Sequence, residues 1–135
     1  MPAINPTELL ALWKAQVRTW ALSGQLLTAA VHALQLKASR PPEQLSELID
    51  EIAGGAMETL PPVELLEAGA MPGAAGAYAA STGTIYLNRD WLRTASESKA
   101  LAVLTEEFGH HLDAVINAAD TPGDEGTSFE NLLIK

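Results

Sequence analysis

An α+β domain is the fold this sequence predicts, and three observations predict it. The first 55 residues carry apolar side chains at helical spacing. Residues from about 60 to 88 are cut into short segments by Pro and Gly, and from about 97 the helical spacing returns. At 135 residues the chain suits a single domain, with 1–55 as a helical part and 60–135 as the core.

The helical part begins at about Thr7, which reads as an N-cap after Pro6 with Glu8 in the first turn. Leu9, Leu12, Trp13, Gln16, Val17, Trp20, Leu27, Val31 and Leu34 line one broad stripe running to about Ala38. Ser23-Gly24 predicts a break within it. Pro41-Pro42 ends this unit, and Glu43 to Ala53 reads as a second helix with Leu45, Leu48, Ile49 and Ile52 on one side, stopped by Gly54-Gly55.

Val63-Glu64-Leu65-Leu66 is a candidate strand, with a short helix from Pro62 as its competitor. Gly76 to Ala79 and Thr84 to Asn88 predict a hairpin about Ser81-Thr82-Gly83, and the second arm has the β-branched and aromatic content of a strand. Asp90 to Arg93 predicts a helical turn. Ser96 caps a helix expected from about Glu97 to Ala118.

A charge of −9 argues against nucleic acid or an anionic membrane as partner, because both would be repelled. Without cysteine, any metal must be held by carboxylate, imidazole or backbone oxygen. The N-terminus lacks the pattern of a signal peptide and no apolar run reaches the roughly 18 residues of a membrane span. A cytoplasmic location is therefore expected, unless another signal or a larger secreted protein carries the chain out.

The chemistry sits on the last helix, in Glu106-Glu107-Phe108-Gly109-His110-His111. This Glu-Glu-x-x-His differs by one residue from the His-Glu-x-x-His in which two side chains four apart hold zinc and the intervening Glu acts as general base. With about 100° of rotation per residue and Glu106 at zero, His110 falls at about 40°, Asp113 at about −20° and Asn117 at about 20°. Leu101, Leu104, Phe108, Leu112 and Val115 collect on the opposite side, and Glu107 stands at about 100°, the shoulder of the polar face. Glu106 and His110 are thus the candidate metal ligands and Glu107 the candidate base. A solvated face of Glu-His pairs is the competing reading.

A metal also needs a ligand from elsewhere. Beyond the helix, Asp120 to Gly126 turns at Pro122-Gly123, and Glu125 is the expected third ligand, with Asp124 behind it. Asp113 stands between ligand and a group orienting the imidazole. Glu130 completes a capping box with Thr127 and is read as a cap. His32 is read as a partly buried packing residue, His111 falls off the ligand face, and Trp13, Trp20 and Trp91 are expected in the core. Tyr78 and Tyr86 are read as packing residues in preference to oxyanion donors.

The stretch Met71 to Asn88, then Trp91-Leu92, the Glu-Glu-Phe-Gly-His helix and Thr121 to Gly126 resemble a zincin-like, metallopeptidase-related domain found in large bacterial, especially cyanobacterial, calcium-binding-repeat and adhesin proteins. The resemblance covers roughly residues 60 to 130. It implies a peptidase in which Thr84, Ile85, Tyr86, Leu87 and Asn88 form the edge strand that aligns a peptide or protein substrate. Glu106, Glu107 and His110 would take the motif positions. Zinc is the ion it implies, with manganese or calcium as alternatives, because a carboxylate in place of an imidazole adds negative charge and favours harder ions. The alternative is an inactive metal-binding or interaction module that self-associates through the Trp-bearing N-terminal helices.

Overall fold

The computed structural model describes residues 5–33, 43–56, 60–71 and 73–116. Helix α1 (Pro6–Ser23) is capped by Asn5, whose Oδ1 accepts from the Thr7 N–H at 2.9 Å and the Glu8 N–H at 3.5 Å. Thr7 therefore lies inside the first turn and not at its start. The reason is Pro6, whose fixed φ and missing N–H suit the first helical position, so the cap falls just before it. Leu9, Trp13, Val17, Trp20 and Ala21 form the buried side of α1.

Gly24, at φ +86°, makes the break that separates α1 from α2 (Gln25–Ala33). A side chain there would be strained, and the free space around it shows that backbone conformation, not crowding, selects glycine. His32 is exposed near the end of α2, in place of the partly buried position expected for it. The apolar side of that short helix is supplied by Leu26, Ala29, Ala30 and Val31, which leaves His32 pointing outward.

Helix α3 (Glu43–Ala53) buries Leu45, Leu48, Ile49 and Ile52 as its spacing predicts, and ends at Gly54-Gly55 with Gly55 at φ +95°. Arg18 of α1 donates through Nε to the Ala53 carbonyl at 3.1 Å, a cation meeting the exposed carbonyls of a helix C-terminus.

The segment from Val63 to Leu66 is strand β1, so the helical competitor is not realised. A short 3-10 turn (Ala68–Ala70) leads to β2 (Gly76–Ala79) and β3 (Thr84–Asn88), joined by the expected hairpin with Gly83 at φ +62°. The sheet order is β1-β3-β2. β3 runs parallel to β1, with Val63 opposite Ile85, and antiparallel to β2, with Gly76 opposite Leu87.

Asn88 ends β3 and starts α4 (Arg89–Leu92): its Oδ1 accepts from the Trp91 N–H at 3.0 Å while its Nδ2 donates to the Ala74 carbonyl at 3.0 Å. One buried amide thus joins a strand end, a helix start and the approach to β2. Ser96 then caps α5 (Glu97–Ile116) through the Lys99 N–H at 3.2 Å.

Helix α5 lies between layers, touching β2 and β3 on one flank and α1 and α3 on another. Leu104, Phe108 and Leu112 are fully buried, and the Phe108 ring meets Trp13 edge to face with centroids 5.7 Å apart. Among the described residues, no helix is long and apolar enough to cross a membrane. Replacing Phe108 by Ala removes the hub of this packing, so equilibrium urea unfolding should report a loss of about 3–5 kcal/mol. Asn5→Ala removes only a cap, and the same measurement should report about 1 kcal/mol.

Candidate metal centre

The 3.6-residue period of α5 stacks Glu106 and His110 one turn apart, and Glu107 follows on the shoulder. The three side chains converge: a carboxylate oxygen from each Glu and a ring nitrogen of His110 all lie within 4.8 Å of one another. Ligand atoms around a tetrahedral ion at about 2.0–2.2 Å stand about 3.3–3.6 Å apart, so small side-chain rotations close the group on an ion. These three residues could hold a divalent cation.

Burial strengthens the electrostatics of the group. Glu107 is only 8% exposed, and Glu106 and His110 are half-buried. Two carboxylates held close in such surroundings repel strongly, and a cation between them offsets both that repulsion and their lost hydration. Glu107 is withdrawn from water, whereas Glu106 and His110 keep part of their surface in it.

Asp113 is more deeply buried, at 3%, and does not belong to the converging group. Asp124 and Glu125, as well as Asn117 and Glu130, lie outside the described residues.

The turn that carries these residues is brought close to the sheet by Gly76. A Cβ on Gly76 would stand 2.5 Å from Val103 Cγ1 and 3.5 Å from Glu107 Cγ, so a larger residue fits only if the Val103 side chain, β2 or α5 shifts. Gly76 is thus the contact point between the edge of the sheet and the Glu107 side chain.

Strand β3 does not have the free edge that sequence reasoning assigned to it. Both sides of Thr84–Asn88 are hydrogen-bonded, to β1 and to β2, so its backbone cannot pair with an extended peptide. Thr84, Ile85, Leu87 and Asn88 are buried and only Tyr86 is partly exposed. Among the described residues, the sheet's unpaired backbone belongs to the outer edges of β1 and β2, and the β2 edge begins at Gly76, beside Glu107.

Two further residues meet here that spacing did not bring together. The Tyr78 hydroxyl and His111 Nδ1 share a 2.8 Å hydrogen bond, and the His111 ring stacks at 18° on Phe108. Tyr78 lies two residues after Gly76, on the same face of β2, and His111 lies one turn after Glu107. Two Glu-His pairs therefore run in parallel along α5, and the second, Glu107 and His111, faces β2. That repeated spacing was the signal available in the sequence.

Burial lowers the His111 pKa below its usual value and raises that of Tyr78 above 10.0. Both groups are held uncharged near neutrality, which suits the phenol donating to an unprotonated Nδ1.

Neither protein-family models, nor curated proteins, nor solved structures contain a match to this chain.

Gly76→Ala should lower the melting temperature, and adding Val103→Ala, which vacates the space the new methyl needs, should recover part of the loss; thermal melts of both variants check this. A second outcome concerns pH. His111 is harder to protonate in the folded chain than in the unfolded one, so its contribution is present above the unfolded pKa of about 6.5 and is lost as pH falls below it. Urea unfolding at pH 7.5 and pH 5 should show a smaller acid-side loss for His111→Gln than for the wild type.

Proposed function

We propose that the chain is a metal-dependent hydrolase acting on peptide bonds, with a zincin-like division of labour on α5. The observation that carries this reading is the convergence of Glu106, Glu107 and His110 within 4.8 Å on one helical turn beside a sheet edge. Glu106 and His110 hold the ion, with Glu125 as the further ligand from beyond the described residues. A zinc ion held there supplies Lewis acidity, lowering the pKa of water and polarising a carbonyl.

Glu107 takes the proton of the attacking water and returns it to the leaving amine. Its near-complete burial supports that role by holding the carboxylate in one place beside the ligand positions. An extended peptide pairs with the outer edge of β2, from Gly76 to Ala79, which carries its carbonyl past Glu107.

A second reading is favoured by one specific observation: the Glu107 carboxylate belongs to the converging group itself. Used as a ligand in place of Glu125, it leaves a metal-binding module without a base. Manganese or calcium then suit the two carboxylates better than zinc.

The two readings separate in one set of measurements. Metal content and metal titration should give one divalent ion per chain. His110→Ala should weaken binding by at least about 100-fold, since residues that merely orient a ligand are already worth 10–100-fold. For the hydrolase, Glu107→Gln keeps the ion and abolishes cleavage of a peptide library. Loss of the ion in Glu107→Gln makes Glu107 a ligand, and a wild-type chain that takes up no divalent metal overturns both readings.

A further inference from the structure

Helix α1 has a second face, turned away from the core. Glu8, Ala11, Leu12, Ala15, Arg18, Thr19 and Leu22 are exposed and fall within about 120° of arc on the helix. Leu12 is 41% and Leu22 64% exposed, the two large apolar side chains in that state among the described residues. This face lies behind the α1–α5 contact made by Trp13 and Phe108, and Phe108 points away from Glu106 by about 200°. It is therefore separate from the metal centre.

The charge of this region is unlike that of the rest of the chain. Residues 5–33 carry Lys14 and Arg18 against Glu8, a balance of +1 in a chain of −9. Two copies of so acidic a chain repel across most of their surface, and α1 offers a place where they meet without stacking like charge.

The order of residues along the stripe is also self-complementary. Run antiparallel, two α1 helices bring Glu8 of each to Arg18 of the other, with Ala11 and Ala15 between them permitting close approach and Leu12 losing its contact with water. The Arg18 guanidinium is already held in place by its bond to the Ala53 carbonyl, so little freedom is lost on pairing. A groove lined by Leu12, Thr19, Trp20 and Leu101 runs alongside, with the Glu97 carboxylate of α5 also on its wall. Ridge and recess on one face are what a twofold interface requires, because each copy presents the same surface to the other.

We propose that a second copy of this chain docks on the exposed face of α1, in an antiparallel twofold pair set by Glu8 and Arg18. One 18-residue helix is roughly 27 Å long and gives less contact than the roughly 800 Å² per partner of a standard stable complex, so the pair is weak and concentration-dependent.

Sedimentation equilibrium of the full chain across micromolar to millimolar concentrations tests this. Reversible dimers are expected, and Leu12→Asp, at a surface position, should leave only monomer while circular dichroism stays unchanged. Glu8→Lys alone and Arg18→Glu alone should each weaken the pair by about tenfold, because each makes two like-charge contacts. The double reversal restores the pairing, and this recovery separates a direct contact from damage to the helix. Monomer at every concentration, or a dimer indifferent to these charge reversals, overturns the proposal.

Discussion

The packing of Phe108 against Trp13 is the contact on which the rest of the architecture depends. It joins the N-terminal helices to α5, and it does so at the one turn of α5 that also carries the polar residues. A helix has a single rotational setting once a large ring is seated, so burying Phe108 dictates where residues one to two positions away must point. That anchoring decides which neighbours Glu106, Glu107 and His110 face, while their closeness to one another comes from the helix itself. The candidate metal centre is, in this sense, the reverse side of the hydrophobic core.

The second constraint comes from the sheet. Gly76 lets β2 approach α5 closely enough that Glu107 is buried between helix and strand. The same approach seats Tyr78 on His111 one turn further along. Together these contacts place a carboxylate in an interior that would ordinarily exclude it, and charged groups persist in such places where they are paired, hydrogen-bonded or bound to a metal. Glu106, Glu107 and His110 could share a cation at this point in the fold.

Much of the fold was legible in the sequence, residue by residue. Leu45, Leu48, Ile49 and Ile52 announced α3, Gly24 marked the end of α1 and Gly55 that of α3, Ser96 marked the start of α5, and the hairpin at Gly83 was plain from its turn residues. The polar turn of α5 could also be placed, because rotation per residue is a property of any helix. Asn5 and Thr7 both have capping side chains, and the proline between them decides in favour of the residue before it. His32 is exposed because a helix of nine residues buries one narrow side, and Leu26, Ala29, Ala30 and Val31 already fill it.

By itself the sequence determined the local elements, the core stripe of α5 and the convergence of Glu106 with His110, all of which follow from periodicities of two to four residues. The tertiary structure alone decided that β3 is the centre of its sheet and not an edge, that Glu107 joins the other two side chains while Asp113 is buried apart from them, and that Tyr78 finds His111 across 33 residues of chain. Strand order and contacts between distant elements depend on which surfaces pack together. Spacing within one element carries no record of the surface laid against it.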